Sequence, residues 1–360
     1  MSALLYSEVE EDLRASVRAL LAAHCAPEAL LGRVEQPDLH DAKVWHGLGS
    51  ELGVAGLAVP EHLGGAGAGW RETAVVLEEL GRSLAPVPYL GSSVIATAVL
   101  LAAGETQLLP EVAAGRRIAA LALPFATWPD APLPDRLSID GGTLTGRVQG
   151  VADARHADLL LVYAGGALHA VEAARVLRTP VTSLDLTRPL CDLDFAGTPY
   201  TTLAFGPDAE RAVRAGLTAG AALLPSEMLG VAEWCLTAIV GYAKERYQFG
   251  RQIGSFQAVK HRLADLWIGV TQARAVARNA ASALADGSPG VAAETALAKA
   301  FVSGVVVRTA EESLHLHGAI GFTWEHPMHL FLKRAKSTSL ALGTADRHRA
   351  ALAGLVNLPA

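Results

Sequence analysis

The stretch YAKERYQFGRQIGSFQAVKHRLADL, residues 242–266, joins the end of one predicted helix, a polar turn and the start of a second helix. From residue 231 to the start of this stretch, apolar residues recur at three- and four-residue steps, which is the spacing of one helix face. These residues are Val231, Trp234, Ala238 and Tyr242. We expect Gly250 to end the first helix, because a glycine commonly follows the last helical turn.

The second predicted helix carries a seam of apolar residues at alternating steps of three and four, which is typical of antiparallel helix bundles. The seam consists of Phe256, Val259, Leu263, Leu266, Val270 and Ala273. Between the two helices lie the polar side chains of Arg246, Gln248, Arg251 and Gln252. Polar residues at a helix corner are usually only solvated. This segment alone therefore does not indicate a function, and a second observation elsewhere in the chain is needed.

That observation is the stretch SLHLHGAIGFTWEHP at residues 313–327. Together, and in matching register, the two segments resemble the two flavin-binding signatures of the acyl-CoA dehydrogenase family. Three further stretches are similar to parts of the same family, namely AVPEHLGGAGAGW (58–70), DGGTLTGRVQGVADARHADLLLV (140–162) and LKRAKSTSLALGT (332–344). The resemblance covers nearly the whole chain and is strongest towards its carboxyl end.

Composition limits the class of protein. A chain of 360 residues that is 51% hydrophobic with a net charge of −6 is typical of a soluble globular protein and argues against a nucleic-acid-binding surface. The scattered Cys25, Cys191 and Cys235 predict neither a disulfide framework nor a metal site. There is no uncharged apolar run of about 18 residues, and the acidic amino-terminal segment is unlike a signal peptide. We therefore expect a cytoplasmic protein without a membrane span.

The pattern along the chain changes twice. Residues 1–114 are helical in pattern, residues 115–208 hold short apolar runs bounded by turns, and residues 209–360 are again helical. The glycine-rich segment 64–69 follows no strand, so it predicts a structural loop and not a dinucleotide-binding turn. The resemblance implies the same order: an α+β protein with an N-terminal α-helical domain, a middle β-barrel-like domain and a C-terminal four-helix bundle.

The resemblance also implies a chemistry. Members of the family remove two hydrogens from adjacent carbons of an acyl-CoA: a carboxylate takes the α-proton, FAD takes the β-hydride, and electron-transfer flavoprotein is the acceptor. Each flavin ring lies against its own subunit, whereas the diphosphate and adenine are held by a neighbouring subunit. The residues that match this second role are Arg246, Gln248, Phe249 and Gln257 in the first signature and His315, Gly318, Ala319 and Gly321 in the second. His315 and Ala319 depart from the glutamine and glycine that are common there.

The motifs for the subunit's own flavin ring are eroded. Relatives carry Thr-Glu-Pro and Gly-Ser-Asp where this chain has LALPFATWPDAPLP, residues 121–134. Relatives also carry Trp-Ile-Thr, or a similar triplet, where this chain has Gly150, Val151 and Ala152. The resemblance therefore implies that ring contacts are missing on this side of the flavin.

The catalytic base is missing as well. One branch of the family places a glutamate directly before a Gly-Thr pair, where this chain has Leu342, and a second branch places it where this chain has Gly220. Neither residue accepts a proton, so we predict no catalytic residue in this chain. Glu227 and Glu233 follow on the same helix as Gly220, and Glu227 is the candidate for a displaced base.

Two interpretations follow. In the first, the chain is the noncatalytic subunit of a heteromer and lends residues to the flavin of a paralogous subunit. It then resembles the heteromeric acyl-CoA dehydrogenases of bacterial steroid side-chain degradation in its shortness and its paired defects. In the second, it is a self-sufficient homo-oligomeric dehydrogenase with a displaced base such as Glu227. A flavin monooxygenase or nitroalkane oxidase of the same fold is a third alternative, for which we find no base in the sequence.

Overall fold

The computed structural model of the chain describes residues 4–36 and 39–356, apart from the side chain of Glu28. Residues 1–3 and 37–38 of the predicted N-terminal domain and residues 357–360 of the predicted C-terminal domain lie outside the described residues. The N-terminal helices are α1 (Glu8–His24), α2 (Pro27–Leu31), α3 (Ala42–His46), α4 (Trp70–Ser83), α5 (Thr97–Ala102) and α6 (Leu109–Ala113).

Irregular turns connect these helices. Two π-helical segments, Gly47–Glu51 and Leu90–Ala96, precede a 3-10 turn and α5, respectively. The glycine-rich segment 64–69 is a loop that folds back on the preceding chain: a Cβ placed on Gly65 would lie 2.2 Å from the carbonyl oxygen of Val59. The glycine thus permits a close backbone approach, as the sequence predicts.

The middle of the chain forms two four-stranded sheets. The strands are β1 (Ala119–Leu121), β2 (Leu137–Asp140), β3 (Thr143–Ala152), β4 (Leu159–Ala164), β5 (Ala167–Glu172), β6 (Leu177–Val181), β7 (Leu190–Pro199) and β8 (Thr201–Phe205). One sheet has the order β1-β4-β5-β8, with β1 and β4 parallel. The other has the order β2-β3-β7-β6 and is antiparallel throughout. The apolar β4 lies inside its sheet, which explains why nearly all of its side chains are buried.

The remainder of the chain is a helical bundle. Its elements are α7 (Gly206–Glu245), a short hairpin of β9 (Tyr247–Gln248) and β10 (Arg251–Gln252), α8 (Gln257–Ala285), α9 (Val291–His317), α10 (Met328–Leu340) and α11 (Ala345–Leu355). The central helix α7 packs against α4, α8, α9 and α10. The seam predicted for α8 faces inward, with Leu266, Val270 and Ala273 buried. The predicted order of helices, sheets and helices is therefore observed.

Within the described ranges, α7 is the helix that is long and apolar enough to cross a membrane, with a mean hydropathy of 1.4 over its most apolar window. However, 67% of that window is buried inside the structure. An apolar helix that neighbours cover on several sides is the core helix of a bundle.

The contact between α4 and α7 is close because two glycines lie at the crossing. A Cβ on Gly81 would lie 2.0 Å from the carbonyl oxygen of Glu227, and a Cβ on Gly230 would lie 1.9 Å from that of Glu78. No side chain fits in either place. The two backbones therefore touch, which fixes α7 against the N-terminal helices.

The prediction that Gly250 ends the first helix of the 242–266 segment is wrong. The helix α7 already ends at Glu245, and Arg246 leaves it in an extended conformation. Gly250 instead lies in the two-residue turn between β9 and β10, where Phe249 and Gly250 have φ values of 53° and 75°. Positive φ at both central positions is the requirement of a type I′ hairpin turn, which glycine meets without strain.

Candidate functional site

A cleft opens between the hairpin after α7 and the end of α9. It has a volume of about 670 Å³, and both predicted flavin signatures contribute to it. Its lining includes Tyr242, Arg246, Gln248 and Ile253 on one side and Leu316, His317, Gly318, Ala319, Ile320 and Thr323 on the other. The structure therefore brings together two segments that lie some seventy residues apart in the chain.

The polar side of this cleft consists of Arg246 and Gln248. Both side chains are exposed, and Arg246 forms no ion pair within the part of the chain that the structure describes. An unpaired guanidinium next to an amide offers several N–H donors in a fixed geometry, which suits a diphosphate. The residues present on this side thus fit the anionic middle of a dinucleotide such as FAD.

On the opposite side, two glycines determine the path of the backbone. Gly318 directly follows α9 with φ 65° and ψ −144°, a conformation open essentially to glycine alone. A Cβ on Gly321 would lie 2.7 Å from the carbonyl oxygen of Leu314, so this glycine lets the loop fold against the last turn of α9. The segment therefore exposes its backbone to the cleft, with Ala319 as its small side chain there.

One residue that lines the cleft is a buried histidine that the sequence analysis did not single out. The ring of His317 lies 4.8 Å from that of Tyr242, and its Nδ1 donates to the carbonyl oxygen of Ser313 at 2.6 Å. Burial lowers the pKa of His317, although the hydrogen bond to Ser313 opposes this effect. Its position between His315 and Gly318, two predicted residues of the second signature, was the only signal in the sequence.

The remaining predicted residues lie near the cleft but do not line it. Phe249 is 91% exposed at the tip of the hairpin, with its ring centroid 6.2 Å from that of Phe256. Gln257 is exposed at the start of α8, and His315 is exposed in the last turn of α9. These three side chains point to the surface and are free to meet another molecule.

The two residues at the predicted base positions, Gly220 and Leu342, do not line this cleft but lie next to each other. A Cβ placed on Gly220 of α7 would lie 2.9 Å from Cδ1 of Leu342 and 2.8 Å from Cγ1 of Ile95. Leu342 is only 2% exposed. The two positions predicted for the base thus lie next to each other, and the Leu342 side chain fills the space beside Gly220.

The space around Leu342 is closed. The cavity there measures only about 20 Å³, which is enough for about one water molecule. Phe125, from the stretch 121–134, lines this cavity; it donates its N–H to the Gly150 carbonyl oxygen at 3.0 Å and accepts at its own carbonyl from the Leu342 N–H at 2.8 Å. The residues present here do not fit a flavin ring.

The candidate for a displaced base has another role. The carboxylate of Glu227 is 1% exposed and pairs through one oxygen with Arg188 at 2.5 Å and through the other with Arg334 at 2.9 Å. Burial raises the pKa of Glu227, but the charges of the two arginines outweigh it and hold the pKa below its usual value. Glu233 pairs with Arg274 at 2.7 Å. Both glutamates are therefore used in ion pairs, and the structure does not support Glu227 as a proton acceptor.

Comparison with known proteins provides independent evidence of the family to which this chain is similar. The model of the acyl-CoA dehydrogenase N-terminal domain matches residues 7–116, and that of the C-terminal domain matches residues 210–355. The acyl-CoA dehydrogenase IpdE2 of Mycolicibacterium smegmatis is 35% identical over 337 residues, which cover 94% of this chain and 95% of that protein.

Two solved structures are similar to this chain as well. The ChsE4-ChsE5 complex from Mycobacterium tuberculosis contains a chain that is 30% identical, with a TM-score of 0.86 and coverage of 99% of this chain and 100% of that one. A chain of the Tcur3481-Tcur3483 steroid acyl-CoA dehydrogenase is also 30% identical, with a TM-score of 0.86 and coverage of 97% and 98%. These matches confirm the predicted fold class.

Proposed function

The chain belongs to the acyl-CoA dehydrogenase family, whose members are FAD-dependent oxidoreductases, and we propose that it is the supporting subunit of a heteromeric enzyme of this family. In this role it holds the diphosphate and adenine of a flavin whose ring lies in a paralogous, catalytic subunit. It supplies no base of its own.

One observation carries this proposal: the two halves of the family's flavin site differ in this chain. The half that serves a neighbour is an open cleft of about 670 Å³ with Arg246 and Gln248 at its polar side. The half that would serve the chain itself is a closed cavity of about 20 Å³ behind Leu342. Uniform loss of function would have affected both halves, whereas a supporting role requires only the first.

On the open side, Arg246 and Gln248 would donate hydrogen bonds to the diphosphate, and the backbone of Gly318 and Ala319 would lie along the adenosine part. The exposed Phe249, Gln257, His315 and the buried Gly321 complete the predicted set from this chain. When bound, FAD supplies the acceptor for the β-hydride. The residues of this chain bind and orient the far end of the cofactor and take no part in proton transfer.

The substrate and partners follow from the same proposal. A relative that is 30% identical occurs in the ChsE4-ChsE5 complex, and another in an enzyme described as a steroid acyl-CoA dehydrogenase. We propose a steroid-derived acyl-CoA as substrate, a paralogous dehydrogenase as partner in a heterotetramer, and electron-transfer flavoprotein as acceptor. The proposed location is the cytoplasm.

The proposal is tested by flavin content. The substitution Arg246→Ala removes the guanidinium from the open cleft, so we expect the purified complex of this chain with its partner to lose most of its FAD. Arg116→Ala is the matched control, because Arg116 is an exposed arginine between α6 and β1 that pairs with Glu111. Unchanged FAD content in the Arg246→Ala complex would refute the lending role.

A further inference from the structure

Leu342 holds an unusual backbone conformation. Its φ is 52°, in the left-handed region that a leucine rarely adopts. The residue lies in the turn between α10 and α11, and its side chain fills the space next to Gly220. A strained residue persists only when its surroundings hold it in place.

The groups that hold this turn are identifiable. The Nζ of Lys299 donates to the carbonyl oxygen of Thr338 at 2.9 Å and to that of Ala341 at 2.7 Å. The Nε2 of His348 donates to the carbonyl oxygen of Leu342 at 2.8 Å. Donors from α9 and α11 therefore bind one carbonyl group in the last turn of α10 and two in the turn that follows it.

Lys299 is the more unusual of these donors. Its side chain is fully buried, and it forms no ion pair with any residue in the described ranges. Burial lowers the pKa of Lys299 to about 7. A neutral amine still has two N–H groups to donate, so the two bonds survive in both charge states. A buried lysine is costly without a carboxylate, which indicates that these two bonds have a specific role.

We propose that Lys299 and His348 are positioning residues that lock Leu342 over the base position and so keep this chain's own flavin-ring pocket closed. The lock explains how a leucine is retained in a left-handed conformation at that point. It deepens the proposed function, because a supporting subunit with a closed ring pocket does not compete with its partner for the flavin ring or for the acyl group.

Hydrogen exchange of the full chain alone, without flavin or partner, tests the lock. Lys299→Met keeps most of the side-chain volume and removes two hydrogen bonds. We expect the amides of residues 338–344, including the Leu342 N–H that bonds to Phe125, to exchange roughly tenfold to a hundredfold faster. His348→Phe keeps a ring, removes the third hydrogen bond and should accelerate the same segment.

Lys336→Met is the matched control, because Lys336 lies on α10 and pairs with Glu311 on the surface. It should leave exchange in residues 338–344 unchanged. Local acceleration in both test variants, with unchanged exchange in α7 and α8, supports the lock. Unchanged exchange in this segment, or equal acceleration throughout the bundle, overturns it. If Lys299→Met does not fold, His348→Phe alone decides. Because no flavin is present, this test can fail while the flavin-content test succeeds.

Discussion

At the scale of single residues, Leu342 and Gly220 carry the proposed difference between this chain and a self-sufficient dehydrogenase. The family resemblance predicts a glutamate at one or the other of these positions, and both lie against Ile95 next to one small cavity. A glutamate introduced there would meet apolar side chains such as Ile95 and Leu217 and the buried carboxyl of Asp153. The missing base is therefore part of a repacked pocket and not an isolated substitution.

This packing predicts that a base cannot simply be restored. Leu342→Glu should yield no acyl-CoA-dependent dye reduction and should lower the free energy of unfolding by about 3–5 kcal/mol, because it buries an uncompensated charge. The control Leu342→Met, which conserves volume, should cost less than about 1.5 kcal/mol. Chemical denaturation and a turnover assay of each variant provide the measurement. Activity in the Leu342→Glu variant would show that the pocket is open.

The buried Lys299 predicts a dependence of stability on pH. Its pKa falls from 10.5 to about 7 on folding, because burial disfavours the charged form. Between these values the unfolded chain binds one more proton than the folded chain, so stability rises with pH. Below the folded pKa both states are protonated and the contribution is constant. His348 is a titratable group close to Lys299; its pKa is lowered first by burial, and the charges of Lys299 and Asp130 also act on it.

Comparison with Lys299→Met isolates this effect from other titrations. The difference in unfolding free energy between the wild-type chain and the variant should shift in favour of the wild type by roughly 2–3 kcal/mol between pH 7 and pH 9. Denaturant titrations at several pH values measure it. A difference that stays constant over this range would mean that Lys299 has an ordinary pKa in the folded chain.

Local motifs revealed only part of the site. Arg246 and Gln248 lie within one continuous signature, so the sequence was sufficient to single them out. The contact between Gly220 and Leu342 arises from the packing of α7 against the turn after α10, and no local pattern records it. No local pattern reveals the ion pairs of Glu227 either, because its partners Arg188 and Arg334 come from distant segments.

At the scale of elements, the crossing of α4 and α7 depends on glycine. Gly230→Ala would force a Cβ against the backbone of Glu78, so we expect destabilisation of about 3 kcal/mol or more. Gly241→Ala is the control in the same helix, because no atom lies within 4 Å of its added Cβ. It should stabilise by about 0.5–1 kcal/mol. Thermal unfolding of both variants measures the two changes in stability. Equal changes in stability would contradict the close crossing of α4 and α7.

Helix positions were easier to predict than helix ends. The three- and four-residue steps located α7 and α8 correctly, because the buried seam repeats over many turns. The end of α7 was misplaced, because Gly250 is as compatible with a hairpin turn as with a helix end. The pairing of β9 with β10 decides between the two, and this pairing involves only two residues on each strand.

At the scale of the whole molecule, the chain has an open side and a closed side. The cleft at the hairpin exposes Arg246 and Gln248, whereas the cavity that Leu342 and Phe125 line measures only about 20 Å³. The order of helical and β segments could be read from the sequence, because each region keeps one pattern over about a hundred residues. Which side is open could not be read from the sequence, because it depends on contacts between regions.

The most direct test of this account is the visible absorbance spectrum of the chain, purified first alone and then together with its paralogous partner. We predict that the chain alone is colourless and that the complex is yellow, with one FAD for each pair of unlike subunits. A yellow chain that alone carries about one FAD, bleached by an acyl-CoA in the absence of air, would contradict the account and establish a self-sufficient dehydrogenase.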